Sequence, residues 1–255
     1  MKKPLILVSN DDGIHAEGIR ILSRALKSHF RGRARVVVVA PSGEQSASSH
    51  SLTLSRPLRV IRHEVDEYSV DGTPTDCITL ALHQILKKKP DLIVSGINRG
   101  ANLGDDVHYS GTVSAAVEGA LMGVSSIAFS LVAFANDVPH FETAAHFAKK
   151  LSKKVLERAL PRGFILNVNV PNLPLGKVKG YEFTRLGKRN YGEVIFEKTD
   201  PRGRKYYWIG GDDRNFEDIP TSDCNAINLG KVAITPLQVD MTHYPMLDEM
   251  REWKL

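Results

Sequence analysis

Cysteine is nearly missing from this chain, which has only Cys77 and Cys224 in 255 residues. Two so far apart build neither a disulfide framework nor a zinc knuckle, and buried free thiols in a reducing compartment are expected. No apolar run approaches the roughly 20 residues of a membrane span, and the first residues carry no secretory-signal pattern. The expected location is cytoplasmic, with no membrane partner. Charge of one sign is scarce too: 34 Lys and Arg against 29 Asp and Glu leave a net +5. No long basic block is available to track a nucleic-acid backbone, so no nucleic-acid partner is expected. Lys87-Lys88-Lys89 and Lys149-Lys150 read as favourable charge in the last turns or on the solvent faces of helices. Also missing are a Gly-x-Gly-x-x-Gly after the first strand and a Gly-x-x-x-x-Gly-Lys-[Ser/Thr], which removes the signatures of dinucleotide binding and P-loop chemistry. No internal repeat or low-complexity segment is present.

What the chain does have is alternation. Pro4 to Val8 and Arg35 to Ala40 are uninterrupted apolar runs of the kind found in buried parallel strands, and Leu92 to Gly96, Ser126 to Ser130 and Phe164 to Val170 supply three more. Between them Ile19, Leu22 and Leu26 mark one helical face, as do Ile78, Leu82, Ile85 and Leu86, then Val113, Ala116, Val117 and Leu121. A long helix over about 141–159 precedes the fifth strand. Repeated βα units predict a Rossmann-like, doubly wound, mostly parallel α/β sheet, here over residues 1–175 as a catalytic core. Beyond that the alternation stops. In the C-terminal region, 176–255, Tyr181 to Arg185 and Glu193 to Lys198 read as strands. Asp200-Pro201-Arg202-Gly203 makes a turn into Lys205 to Ile209. This aromatic-rich hairpin is marginal alone, and an arm over about 190–210 that promotes oligomerisation is predicted. A late strand at Gly230 to Pro236 and a short amphipathic helix at Met246 to Lys254 complete the chain.

The chemistry-bearing residues sit where strands end, the place where open α/β sheets bind ligands. Asn10-Asp11-Asp12-Gly13 follows the first strand and Pro41 to Ser46 the second. Gly96 to Gly104 follows the strand at 92–95, and Ser110-Gly111-Thr112 then opens a helix. Adjacent carboxylates at a strand tip are costly unless a cation neutralises them; a helix cap and a turn explain one of Asp11 and Asp12 better than both. The glycine- and asparagine-rich loop tolerates left-handed backbone, which lets N–H groups converge on a concavity. Ser-Gly-Thr at a helix start offers donors and a positive dipole end to a phosphate. Together these clusters describe a metal-assisted phosphate site. Asp11-Asp12 lacks the Asp-x-Asp spacing of aspartyl-phosphate phosphatases. His15, His50 and His108 lie near the clusters, where surface or capping roles compete with proton transfer.

The ordered blocks Ser9-Asn10-Asp11-Asp12-Gly13, Gln45-Ser46-Ala47, Gly72-Thr73-Pro74-Thr75-Asp76-Cys77, Ser95-Gly96-Ile97-Asn98, Asn102-Leu103-Gly104 and Tyr109-Ser110-Gly111-Thr112-Val113 are joined later by Asn167-Val168-Asn169-Val170-Pro171, Asp200-Pro201-Arg202-Gly203 and Ile234-Thr235-Pro236-Leu237. In these the chain closely resembles the SurE family of stationary-phase survival proteins over nearly its whole length. The resemblance implies a divalent-metal-dependent 5′-nucleotidase acting on nucleoside monophosphates, with 3′-nucleotides and short polyphosphate as further substrates to test. It places one divalent ion per subunit on Asp11, Asp12, Ser46 and Asn98. The family ligand is the serine after the Glu-Gln pair, Ser46 and not Ser42. Asp11, Asp12 and Asn98 carry over as the catalytic residues, and Asn10, Gly13, Asn102, Ser110, Gly111 and Thr112 as phosphate or substrate contacts. A homodimer or homotetramer exchanging the C-terminal arm is implied as well. Ala101 stands where the family commonly has proline, which removes no ligand.

Oxygen donors alone favour Mg²⁺ or Mn²⁺ over zinc. Direct hydrolysis is the expected reaction, with Asn98 and the turn at 110–112 stabilising oxyanion charge and Asp11 acting as base or nucleophile. The rival readings are a transferase with a Rossmann-like core, which turns over only with an acceptor, and a nucleotide-sensing protein that binds without catalysis.

Overall fold

The computed structural model describes residues 3–134, 136–190, 195–210 and 215–253. The chain runs β1 (Leu5–Ser9), α1 (Glu17–His29), β2 (Arg35–Pro41), β3 (Val60–Glu64), β4 (Glu67–Val70), α2 (Pro74–Leu80), β5 (Leu92–Arg99), α3 (Gly111–Leu121), β6 (Ser126–Val132), α4 (Phe141–Glu157), β7 (Phe164–Pro171), β8 (Tyr181–Phe183), β9 (Ile195–Thr199), β10 (Lys205–Ile209), α5 (Asp223–Asn228), β11 (Val232–Gln238) and α6 (Tyr244–Met250). Nine strands form one sheet in the order β3-β4-β2-β1-β5-β6-β7-β11-β8. Only β3–β4 and β7–β11 pair antiparallel; the other neighbours are parallel. The doubly wound, mostly parallel sheet expected from the sequence is the fold observed.

Why the apolar runs become central strands is visible in where alternate side chains go. Ile6 and Val8 of β1 and Val36 and Val38 of β2 pack with Ile19, Leu22 and Leu26 of α1 and with Phe141 and Ala144 of α4. Leu5, Leu7, Val37 and Val39 point the other way, onto Cys77 and Ile78 of α2 and Ala115 of α3. A strand with period 2 and helices on both faces must be apolar at every position. Full burial of each of Ile19, Leu22 and Leu26 contributes about 2 kcal/mol.

Four features differ from the sequence expectation. Strand β5 does not stop at Gly96 but runs to Arg99, with a register shift against β6 between Ser95 and Asn98. The hairpin of β3 and β4 was not signalled, because β3 is exposed along its whole length and has no apolar alternation. Helix α5, only six residues long, gave no readable period. Helix α2 ends at Leu80 and its predicted continuation through Ile85 winds as a π-helical turn.

In the C-terminal region β8 and β11 join the main sheet, while β9 and β10 form a separate antiparallel pair, Tyr207 opposite Glu197. The Asp200 carboxylate closes their turn by accepting from the Arg202 and Arg204 amides at 2.8 and 2.9 Å. All ten strand residues of this hairpin are exposed, Trp208 by 65% and Ile209 by 83%. The expected strand start at Glu193 lies outside the described residues, and the terminal helix expected over Met246 to Lys254 instead starts at Tyr244 and ends at Met250. Among the described residues no helix is long and apolar enough to cross a membrane.

Candidate active site

From β1 the chain crosses through α1 to β2 on one side, while β5 pairs with β1 on the other. The carboxyl ends of β1 and β5 therefore flank a topological switch point, where an α/β sheet leaves a crevice. A cavity of about 490 Å³ opens there. Asp11, Asp12, Ser46, Asn98, Asn102 and Ser110 all line it. The sequence reading drew these six from four separate loops, and the fold brings them to one wall.

Backbone contacts stitch the loops together. The Gln45 amide donates to the Asp11 carbonyl at 2.8 Å, and the Ile14 amide to the Pro41 carbonyl at 2.8 Å. Gly13 has φ +98°, and a Cβ there would meet the Gly43 backbone at 3.0 Å, so its role is to let two loops touch. Asn10 is fully buried, and its Nδ2 donates to the Gly13 carbonyl at 2.9 Å. Neither Asn10 nor Gly13 lines the cavity; both shape the turn that carries the aspartates.

The bulge in β5 aims Asn98. At Gly96, with φ +124°, a Cβ would lie 2.3 Å from the Phe129 carbonyl oxygen, so only glycine lets the strand bend there. The Asn98 Nδ2 donates to the Gly100 carbonyl at 3.1 Å, which leaves Oδ1 as the atom with capacity for a cation. The Ser46 hydroxyl donates to Glu44 Oε1 at 2.8 Å.

Helix α3 begins beside Asp11. Ser110 caps it by accepting from the Val113 amide at 3.1 Å. Gly111 comes so close that a Cβ would lie 2.8 Å from the Asp11 Cβ. The Thr112 hydroxyl is fully buried and donates to Asp11 Oδ1, and the Thr112 amide serves the same carboxylate. Gly111 and Thr112 thus hold Asp11 instead of lining the cavity.

Desolvation pushes the carboxyl of Asp11, only 5% exposed, above its ordinary value despite these bonds. Burial, and then the Asp11 charge, push Asp12 up to about 7, against a bond from the Arg99 backbone. Glu44 adds more negative charge to the pair. No three His, Cys, Asp or Glu side chains form a metal cage among the described residues. A hard ion fits the mixed set nonetheless: two carboxylates supply charge, and serine and amide oxygens complete an all-oxygen donor group. Buried acids raised in this way are what a cation would relieve. The Ser48 hydroxyl, buried near Gly111 and Asp11, has no hydrogen-bond partner among the described residues; nothing in the sequence distinguished it from its neighbours.

A pH prediction follows for the metal-free protein. Between 3.8 and about 7 the folded state keeps a proton on Asp12 that the unfolded chain releases. A raised carboxyl therefore makes folding less favourable as pH rises through that window. In chelator, the melting point of Asp12→Asn minus that of the wild type is expected to grow between about pH 4 and about pH 8. A constant difference contradicts the assignment.

The histidines near the clusters stand apart from the cavity. His50 Nε2 pairs with Glu118 Oε2 at 2.8 Å, His15 packs edge-on to His63, and His108 is exposed. Arg99, Asp106 and Tyr109 do line the cavity, and sequence reasoning gave none of them a role.

The family model described as survival protein SurE matches residues 6–193. A protein named 5′-nucleotidase SurE from Anaeromyxobacter dehalogenans (strain 2CP-C) is 54% identical over 252 residues, covering 97% of this chain and 95% of the relative. One of the same name from Geobacter sulfurreducens is 50% identical over 250 residues, covering 98% and 94%. The crystal structure of the SurE protein from Aquifex aeolicus superposes with a TM-score of 0.86 at 44% identity, covering 97% of this chain and 98% of that one. With the doubly wound core, the paired aspartates at the tip of β1 and matches that span almost the whole chain, this protein belongs to the SurE family.

Proposed function

We propose that this chain is a divalent-metal-dependent phosphomonoesterase, a 5′-nucleotidase that hydrolyses nucleoside monophosphates to nucleoside and phosphate. The observation that carries the reading is the pair of adjacent carboxylates at the end of β1, Asp11 buried and Asp12 half-buried, facing the same cavity as Ser46 and Asn98. The relatives named 5′-nucleotidase, about half identical over nearly the full length, support the substrate class.

Asp11, Asp12, Ser46 and Asn98 would hold one ion, Mg²⁺ or Mn²⁺ by donor hardness. Such an ion supplies the positive charge that polarises a phosphoryl oxygen and acidifies water. Thr112 and the start of α3 hold Asp11 in one orientation, so its carboxylate is placed to take a proton from water or to attack phosphorus. Ser110, at the same helix start, offers the phosphate the positive end of α3. Asn98 steadies oxyanion charge through an oriented amide.

The purified protein with Mn²⁺ is expected to release phosphate from AMP with no acceptor present. Saturable AMP binding without phosphate release would favour the binding-protein alternative, and turnover only with an acceptor would favour a transferase. The assignment also includes a cytoplasmic location and a homodimer or homotetramer joined through the exposed hairpin. Deleting roughly residues 190–210 is expected to lower the mass seen by light scattering; an unchanged mass contradicts the arm's role.

A further inference from the structure

The segment that carries Ser46 forms neither helix nor strand between β2 and β3, over residues 42–59. A loop of that length keeps one shape only where it is tied down. Its own backbone works against that shape: Ala47 and Ser49 hold φ of +54° and +52°. Residues with side chains seldom adopt such left-handed angles, and keep them only where the surroundings over-determine them. Contacts outside the loop must therefore hold it.

Helix α3 supplies them. A Cβ at Gly111 would meet Ser48 Oγ at 3.0 Å, so the loop lies directly on the helix start. The Ser49 amide donates to the Tyr109 carbonyl at 3.2 Å. One residue on, His50 Nε2 reaches Glu118 Oε2 at 2.8 Å, while the Thr79 hydroxyl of α2 donates to Oε1 at 3.1 Å. Glu118 is 5% exposed, and its buried neighbours on α3 are Ala115, Gly119 and Ala120. A carboxylate is costly in such a row, where an apolar side chain would pack with no charge to desolvate. Its two bonds offset that cost, and they give the loop a fixed attachment. His50 does not line the cavity that holds Ser46, so its effect there passes through the loop. The start of the same helix holds Asp11 through Thr112. Glu118 stands about 9 Å further along, at the usual helical rise. The bond from the Gln45 amide to the Asp11 carbonyl ties the chain just before Ser46, and His50 ties it just after.

We propose that His50 and Glu118 are positioning residues for the divalent ion: their bond fixes the Ser46 loop to α3 and so keeps Ser46 within reach of the ion that Asp11 holds. The proposal rests on the ion site of the phosphomonoesterase reading and adds to it a pair, outside the cavity, that sets the affinity of that site.

The test is titration calorimetry of the full chain with Mn²⁺ and no nucleotide, beside the Mn²⁺ concentration that half-activates phosphate release from AMP. His50→Ala is expected to raise the dissociation constant by about tenfold or more, the size of effect that partners of metal ligands have. The half-activating concentration rises by the same factor. His50→Gln, whose amide still donates to Glu118, stays within about threefold of wild type. In a Glu118→Met background, His50→Ala changes the dissociation constant by less than about twofold, because the bond is already gone. A dissociation constant in His50→Ala within about twofold of wild type overturns the proposal, and a lower melting point of that variant does not rescue it. Equal weakening by His50→Gln and His50→Ala overturns it as well. These two variants decide the matter where Glu118→Met does not fold. Wild type that binds no Mn²⁺ removes the ion site and the pair's role with it. Wild type that binds Mn²⁺ yet releases no phosphate from AMP is a different failure, that of the phosphomonoesterase reading, and the substrate-free titrations still judge the pair.

Discussion

Asp11→Asn is expected to lower kcat/KM for AMP by at least ~10³-fold, about 4 kcal/mol of transition-state stabilisation, while the metal-free protein melts no lower than wild type. The two outcomes have one cause. Asp11 is buried, faces the start of α3 and receives both the hydroxyl and the amide of Thr112. Asparagine keeps an acceptor for Thr112 and nearly the same volume, so packing survives. It also removes a buried charge that desolvation disfavours, so folding without a cation does not suffer. What it takes away is the negative charge needed to hold a divalent ion and the basicity needed to take a proton. Steady-state rates with Mn²⁺ and thermal melts in chelator separate these effects. Activity within tenfold of wild type, or a lower melting point, contradicts the role given to Asp11.

The second large effect is on folding. Gly18 lies in the first turn of α1, against the bulge of β5, and a Cβ there would stand 1.9 Å from the Ile97 carbonyl oxygen and 3.2 Å from the Phe141 ring. Helix propensity favours alanine over glycine by about 1 kcal/mol. The clash with backbone outweighs it, because neither the strand nor the helix can move without unpacking the core, and overpacking of this kind costs about 3 kcal/mol or more. Gly18→Ala is expected to lower the melting point by roughly 6–12 °C for a chain of this size. Its KM should rise too, since Asn98 follows Ile97 directly. Gly176→Ala is the contrast: nothing lies within 4 Å of a Cβ there, and its φ is ordinary. That variant should melt within about 2 °C of wild type. Equal effects at the two positions would contradict the packing argument.

How much of this was legible beforehand depended on range. The runs that became β1, β2 and β7 announce themselves, because a strand covered on both faces has no polar positions. Helix α1 shows its buried stripe at Ile19, Leu22 and Leu26 for the same reason. Strand β5 was cut short: Gly96 and Asn98 look like loop residues, and only the contact with the Phe129 carbonyl reveals that the glycine is a bulge within a strand. The exposed β3 carried no pattern to read.

The site divides along the same line. Asp11, Asp12, Ser46, Asn98, Asn102 and Ser110 were placed together by the rule that strand ends converge, and they line one cavity. Thr112 read equally well as a phosphate donor, and its hydroxyl is instead turned inward to Asp11, a choice set by how α3 packs. The pairing of Asp106 with Arg189 joins distant segments through tertiary structure alone. No local spacing encodes it.

The central claim is that the acids at the end of β1 exist to hold a divalent ion that the hydrolysis requires. The most direct measurement is phosphate release from AMP by protein stripped with chelator, before and after Mg²⁺ or Mn²⁺ is restored. The account predicts release at least ~10³-fold slower in the stripped protein, full recovery on adding the ion to wild type, and no recovery in Asp11→Asn. Release that continues unchanged without divalent ion would contradict it.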